Sequence, residues 1–356
     1  MSPRPAADAP PESDAFPGAP HPRFAERLIG HAAAEAAMLS AYREGRLAHA
    51  WLIGGPEGIG KATLAWRFAR FALANPDPSA PAVRAARDLS VQPDCPAARQ
   101  LAALSHPDFA LARREWNPKS KGFYSEIRVE DVRAALSMFH MSAAFGGWRI
   151  AIVDCADELN SAGANALLKM VEEPPPRAVI LIVAHRPGRV LPTIRSRCRR
   201  LLLEPLSPGE IEATIVSLGP PWDAIDPISR AQASARANGS AREALRRLDP
   251  DTQAVGALIE AAIAQLPRVD PRLVHRLADA VGDRSAGDSF AALNAALCEW
   301  LVQRARAADS DAARRPLAEL WDRLRAATRD VEALNLDRRL HVLAAFEDIA
   351  GQARRL

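Results

Sequence analysis

The sequence predicts an α/β fold with a parallel sheet, followed by a small helical domain and a helical bundle. Three observations support this. Continuous apolar runs alternate with helical patterns up to about residue 205, and a glycine-rich turn joins the first run to a helix. After residue 205 the strand signal disappears. Unbroken apolar runs are typical of strands that are buried on both faces, as in a parallel sheet between helices.

The predicted strands are short and each leads into a helical pattern. They cover residues 50–53, 149–154 and 178–184, with a further strand starting near Phe109. The spacing of apolar residues predicts helices over 61–74, from 127 to about 141, and over 160–173, and prolines follow the first and the last of these. Such alternation gives a right-handed parallel sheet.

Composition divides the chain into four predicted regions. Residues 1–22 are rich in Pro and Ala, and we expect a disordered tail because they cannot bury enough apolar surface to offset their ordering entropy. The α/β domain then covers 23–206. A helical domain covers 207–250, starting at the capping pattern of Ser207, Pro208 and Glu210. About five helices follow over 251–356.

The overall composition excludes several classes of protein. The chain has 356 residues, 48% hydrophobic and 25% charged, with a net charge of only +3, which argues against strong non-specific binding of nucleic acid. Its four cysteines are far apart and form no C-x-x-C pair, which predicts free thiols in a reducing compartment and no zinc site. No apolar run approaches membrane-spanning length and no secretory segment is present. We therefore expect a cytoplasmic protein without a membrane partner.

The glycine-rich turn is a nearly complete phosphate loop. Its glycines and lysine fit the pattern G-x-x-x-x-G-K-[ST] and are Gly55, Gly58, Gly60 and Lys61. The hydroxyl that ligates Mg²⁺ is missing, because Ala62 stands at the last position. Thr63 cannot replace it, since it is turned about 100° away round the helix. The spacing indicates descent from a nucleotide site, and we do not expect turnover of Mg·ATP.

Acidic residues follow the strand at 149–154. Asp154 ends this strand, where an NTPase places its Mg²⁺-binding acid, although a strand-end cap explains it equally well. Related ATPases have a glutamate at the next position, which orients the attacking water, whereas this chain has Cys155. Asp157 and Glu158 are interpreted as caps of the following helix.

Two further stretches carry arginines. Residues 195–200 contain four arginines, and by composition this is an exposed turn or a contact to phosphate or nucleic acid. Arg242 lies in the stretch 239–245, which by spacing is an ordinary start of an amphipathic helix.

Six motifs, taken together and in order, resemble the bacterial clamp-loader branch of the AAA+ family, the clamp-loader subunits of DNA polymerase III. They cover residues 55–61, 154–157, 164–175, 196–198, 239–242 and 335–338. The run N-A-L-L-K-x-x-E-E-P-P with Ser-Arg-Cys downstream is the specific part. The resemblance extends from about residue 24 to the C-terminus, and it implies that the two helical regions are a lid domain and a collar domain.

The resemblance also implies roles for individual residues. Arg197 would be an arginine finger that reaches the γ-phosphate of ATP held by a neighbouring subunit, and Arg242 would be the second sensor arginine of the lid. Ala184 and His185 stand where the first sensor of the family usually has Thr or Asn, so that sensor is altered. Relatives often carry a four-cysteine zinc module, of which only Cys95 remains, so zinc is not expected. No cofactor would be required, and ATP or ADP would bind weakly at most.

The implied function is assembly and control. The chain would join motor (gamma/tau) and delta subunits in a ring that loads the sliding clamp onto DNA. Its contact with the clamp would be indirect, and primer–template DNA would be met through the complex. Two alternatives stay open: a self-sufficient AAA+ ATPase of the motor type, and a DNA-binding module that uses the arginines of 195–200.

Overall fold

The computed structural model describes residues 11–119, 122–282, 287–334 and 336–353. They form two units, Met1–Leu245 and Arg246–Leu356, each of which is described by itself. The first unit includes the α/β region together with most of the predicted lid region. The division of the chain into a tail and three domains at 22, 206 and 250 stays a prediction.

The first unit is built on a five-stranded parallel sheet, which confirms the predicted fold class. Its strand order is β2-β5-β6-β1-β7. The strands are β1 (Ala50–Gly54), β2 (Phe109–Ala112), β5 (Arg149–Asp154), β6 (Ala178–Ala184) and β7 (Arg199–Leu202), and a separate hairpin joins β3 (Trp116–Asn117) to β4 (Gly122–Phe123). In the register Gly54 lies opposite Ala184, and Asp154 lies opposite Val183. The carboxyl ends of three neighbouring strands therefore meet at one edge.

The central strands are the continuous apolar runs of the sequence. Every residue of β1, β5 and β6 is buried, as expected for strands covered by helices on both faces. β7 was not predicted. Arg199 and Arg200 were interpreted as part of an exposed turn or of a contact to phosphate or nucleic acid. The structure corrects the turn, because both residues pair with Trp51 and Leu52 at the sheet edge while their side chains stay exposed.

Helices cover both faces of the sheet. Those that begin in the first unit are α1 (Ala32–Arg43), α2 (Lys61–Ala74), α3 (Pro81–Ala85), α4 (Pro96–Ala102), α5 (Val129–Leu136), α6 (Ser161–Glu172), α7 (Pro192–Arg195), α8 (Pro208–Ser217), α9 (Pro227–Ala235) and α10 (Ala241–Leu248). The helix predicted from 127 to about 141 is shorter, since it ends at Leu136 and a 3₁₀ turn continues to His140. α8 has the predicted capping box of Ser207 and Glu210.

The predicted disordered tail is corrected in part. Residues 1–10 lie outside the described residues, but residues 11–22 pack against other parts of the first unit. The reason is electrostatic: Glu12 and Asp14 form ion pairs with Arg113 at 2.7 and 2.5 Å. Trp222 also donates from Nε1 to the carbonyl of Gly18 at 2.9 Å.

The second unit is helical. Its helices are α11 (Pro250–Gln265), α12 (Pro271–Gly282), α13 (Gly287–Ala307), α14 (Asp311–Leu334) and α15 (Arg338–Ala353). These match the five predicted helices. Leu277, Phe290 and Leu293 are fully buried in their shared core. Asn335, which opens the last of the six motifs, lies outside the described residues. Within the described ranges no helix is long and apolar enough to cross a membrane.

Candidate functional site

The turn between β1 and α2 has the backbone of a phosphate loop. Gly55, Gly58 and Gly60 have φ values of +143°, +75° and +103°, in the region that favours glycine. A Cβ on Gly55 would lie 2.5 Å from the carbonyl oxygen of Leu203. These glycines are therefore required by the loop conformation, whatever the loop binds.

Lys61 begins α2 and is turned into its own loop. Its side chain donates to the carbonyl of Pro56, and the residue is only 3% exposed. Burial lowers the pKa of Lys61 to about 8. Ala62 and Thr63 are half-buried in the same turn of the helix. The cation that would neutralise a phosphate is thus partly desolvated and already hydrogen-bonded within the loop.

Asp154 lies at the end of β5, on the same edge of the sheet. It is buried, and burial raises its pKa to about 7, with a further contribution from the charge of Asp14. Lys61 is close enough to act on it in the opposite direction. The loop lysine and the strand-end acid therefore lie close together at this edge of the sheet.

The residues after Asp154 do not have the roles expected from sequence. The thiol of Cys155 donates to Asp157 Oδ1 at 2.7 Å, and burial raises the pKa of this thiol. Asp157 was interpreted as a helix cap, but its carboxylate accepts from the backbone N–H groups of His185 and Arg186, at 2.8 and 3.2 Å. Asp157 therefore ties the end of β5 to the end of β6.

The cap of α6 is Asn160, which accepts from the backbone N–H of Gly163 at 2.7 Å. Glu158 is ion-paired with Arg114 at 2.6 Å. The interpretation of both acids as caps is thus wrong, because a better capping residue lies immediately before the helix.

The lid region closes directly on the phosphate loop. The backbone N–H of Ala241 donates to the carbonyl of Gly58 at 2.9 Å, and Arg242 Nε lies 3.1 Å from Glu57 Oε1. The Arg242 guanidinium also stands 5.6 Å from the ring centroid of Phe16. The structure therefore brings together the predicted residues Gly55 to Thr63, Asp154 and Arg242.

Arg197 lies elsewhere on the first unit, between α7 and β7. Its side chain is 43% exposed, and its guanidinium donates to the carbonyl of Thr193 at 3.0 Å and pairs with Glu172 at 2.9 Å. Glu172 belongs to the E-E-P-P run at the end of α6. Two motifs that were identified separately in the sequence therefore meet here.

Sequence reasoning missed one component of the loop region. Glu12, Asp14 and Phe16 come from the segment that was assigned to a disordered tail, and Arg113 follows β2. The available signal was Phe16, the only aromatic residue among the first 22, with carboxylates two and four positions before it.

The loop does not fit a magnesium-bound nucleotide. A methyl group at Ala62 replaces the oxygen ligand, and Lys61 and Arg242 are both engaged within the protein. Elsewhere in the described ranges, no group of three or more His, Cys, Asp and Glu side chains could hold a metal ion. Cys95 serves as the N-cap of α4, where its sulfur accepts from the N–H of Ala98 at 3.4 Å.

Comparison with known proteins identifies the family. A family model described as "DNA polymerase III, delta subunit" matches residues 30–207, half of the chain. A DNA polymerase III subunit delta' from Pseudomonas aeruginosa is 38% identical over 151 residues, which are 42% of this chain and 42% of that protein. The chain belongs to the delta-prime family of DNA polymerase III. The delta-prime assignment agrees with the resemblance to clamp-loader proteins of the AAA+ family.

Other relatives extend the comparison. The delta' subunit of Escherichia coli K12 is 30% identical over 175 residues, covering 47% of this chain and 46% of that protein. The chain thus spans less than half the length of these curated delta-prime relatives. Among solved structures, the Holliday junction branch migration motor RuvB of Thermotoga maritima covers 94% of this chain and 92% of its own, with 16% identity and a TM-score of 0.44.

Proposed function

We propose that this delta-prime protein acts in a clamp loader as a subunit that does not hydrolyse ATP and that supplies Arg197 to a neighbouring motor subunit. One contrast carries the proposal. The loop lysine is 3% exposed and bonded to its own loop, whereas the side chain of Arg197 is 43% exposed. An arginine that serves a site on another chain must be accessible, and a lysine that serves its own site must be able to reach a phosphate.

Three altered residues also support the proposal that this chain does not hydrolyse ATP at its own site. Ala62, Cys155 and Ala184 each replace a group that would assist hydrolysis within this chain. Asp157 supports the end of β6 and is therefore occupied structurally. The partners are the motor (gamma/tau) and delta subunits, with the sliding clamp and primer–template DNA engaged through the assembled complex. Zinc and a required nucleotide have no part in this proposal.

The deciding experiment uses a clamp loader reconstituted from this chain with motor subunits, delta and the clamp. An Arg197→Ala variant should assemble normally and lose most of the ATPase activity that clamp and DNA stimulate, since an arginine finger contributes about 10³-fold or more at the site that it serves. Arg200→Ala is the matched control, because Arg200 is also exposed and only three residues away. Unchanged ATPase in the Arg197 variant, or equal losses in both variants, would remove the proposed role.

The motor-type alternative predicts a different outcome. Purified chain would then turn over Mg·ATP by itself, and Lys61→Ala would abolish that activity. Under the proposal, Lys61→Ala leaves the ATPase of the reconstituted complex close to that of the parent, because Lys61 acts on no hydrolysed nucleotide.

A further inference from the structure

We call the region around Lys61, Asp154 and Arg242 the phosphate-loop cleft, and the segment formed by residues 12–18 contacts groups that border it. One end is fixed to Arg113, the residue after β2, whose ion pairs to Glu12 and Asp14 measure 2.7 and 2.5 Å. The other end is fixed to the lid region, where Trp222 donates to the carbonyl of Gly18 at 2.9 Å. The segment therefore links the end of β2 to the lid region, whose Ala241 contacts Gly58 of the phosphate loop.

The acidic end of the segment is held by a buried ionic network. Glu12 also pairs with Arg23 at 2.6 Å, and Asp14 Oδ2 lies 2.9 Å from His21 Nε2. The Asp14 side chain is only 5% exposed. Such groups are costly to leave without partners in a desolvated place, so the network resists partial opening.

This network places an anion beside the strand-end acid. β2 and β5 run in register, with Ala112 opposite Val153, so that Arg113 and Asp154 are the next positions of the two strands. Asp14, held on Arg113, contributes to the raised pKa of Asp154. A polyphosphate that entered this space would meet an existing carboxylate as well as a desolvated lysine.

The apolar end of the segment occupies the lid arginine. Arg242 Nη1 donates to the carbonyl of Ala15 at 3.4 Å, and its guanidinium lies 5.6 Å from the Phe16 ring. Phe16 in turn contacts the Trp222 ring edge-on, with centroids 5.9 Å apart. A phosphate could therefore engage Arg242 only if the segment gave up these contacts.

We propose that residues 12–18 are the resident ligand of the phosphate-loop cleft, and that this segment, more than the altered loop itself, keeps nucleotides out. The inference concerns the same cleft as the proposed function but does not depend on Arg197. If opening of the segment must precede nucleotide binding, the apparent affinity falls in proportion to the open fraction. Loosening the segment should then raise affinity for a nucleotide by about 10-fold or more.

The test measures binding of ADP, without Mg²⁺, to the full chain by calorimetry. Phe16→Ala removes the contacts to Trp222 and Arg242 without changing charge, and Glu12→Gln/Asp14→Asn weakens the opposite end. Each should bind ADP at least 10-fold more tightly than the parent, and addition of Lys61→Ala should abolish the gain. Glu26→Gln is the control, since Glu26 is an exposed carboxylate outside the segment.

A second measurement follows the segment itself. Hydrogen exchange at residues 12–18 of the parent chain should accelerate when saturating ADP is added, because the two ligands exclude one another. This holds even if one of the variants fails to fold. The proposal is overturned if Phe16→Ala binds ADP no better than the parent and control, or if ADP binds without changing that exchange. Neither result would bear on Arg197, whose test is the ATPase of the reconstituted complex.

Discussion

The phosphate-loop cleft and the surface around Arg197 belong to one α/β unit, yet their charged groups are used in opposite ways. In the cleft, Lys61 and Asp154 are buried. Burial lowers the pKa of Lys61 and raises the pKa of Asp154, so both shifts favour the neutral side chain. At the surface, Arg197 and Glu172 are 43% and 40% exposed and form a solvated ion pair. Lys61 and Asp154 are therefore held inside the fold, whereas Arg197 and Glu172 can exchange partners.

The comparison separates residues that the fold requires from residues that it does not. The glycines of the cleft are fixed by backbone conformation and by close packing against the lid, so they persist whatever the loop binds. An exposed pair such as Arg197 and Glu172 contributes only about 0–1 kcal/mol to stability. Arg197 can therefore change partners at little cost to the fold.

The largest expected effect on stability comes from Gly58, where the lid region packs against the phosphate loop. A Cβ on Gly58 would lie 2.4 Å from Arg242 Cβ and 2.9 Å from its backbone nitrogen, and φ is +75°. Gly58→Ala should therefore lower the free energy of unfolding of the α/β unit by about 2–4 kcal/mol. Urea denaturation followed by tryptophan fluorescence measures it. Gly188→Ala, where no atom lies within 4 Å of the added Cβ, should change little; equal effects would show that the lid does not close on the loop.

Asp154, the buried acid at the end of β5, should have a smaller effect on stability. Between pH 3.8 and about 7, folded Asp154 keeps a proton that the unfolded chain has released, so stability falls as pH rises through this window. Asp154→Asn cannot ionise and should be more stable than the parent at pH 8, by about 2 kcal/mol, with little difference at pH 4. Urea denaturation at the two pH values measures this difference.

Asp157, three residues after Asp154, should affect the pH dependence of stability in the opposite direction. Burial by itself would raise its pKa, but hydrogen bonds from Cys155 and from the backbone of His185 outweigh burial and hold it below the ordinary value. Its contribution to stability is therefore present above the ordinary pKa and is lost as pH falls. Asp157→Asn should destabilise at pH 8, by about 1–2 kcal/mol. The same sign for both variants would contradict the description of the cleft.

These two acids also show which features could be predicted from the sequence and which could not. The sheet, the phosphate loop and the position of Asp154 follow from apolar runs and glycine spacing, which are local properties. The role of Asp157 depends on β6, which lies about 25 residues further on and beside β5 only in the folded sheet. No local pattern distinguishes a helix cap from such a cross-strand support.

The N-terminal segment was mispredicted for a related reason. Pro- and Ala-rich composition predicts that a stretch cannot form a core of its own, and residues 12–18 indeed form none. They are ordered by groups that other parts of the chain supply, chiefly Arg113 and Trp222. Composition indicates how much apolar surface a segment can bury by itself. It does not show that other parts of the chain supply groups of complementary charge.

The smallest expected effect concerns the surface pair. Glu172→Gln removes the partner of Arg197, and because both side chains are about two-fifths exposed, the free energy of unfolding should change by less than about 0.5 kcal/mol. Arg197→Ala should be equally mild in the isolated chain, although it is expected to be severe in the reconstituted ATPase. A loss above about 1.5 kcal/mol in either variant, measured by urea denaturation, would indicate a structural ion pair. The contrast between a closed cleft and an available arginine would then fail, because both regions would be using their charges to hold the fold together.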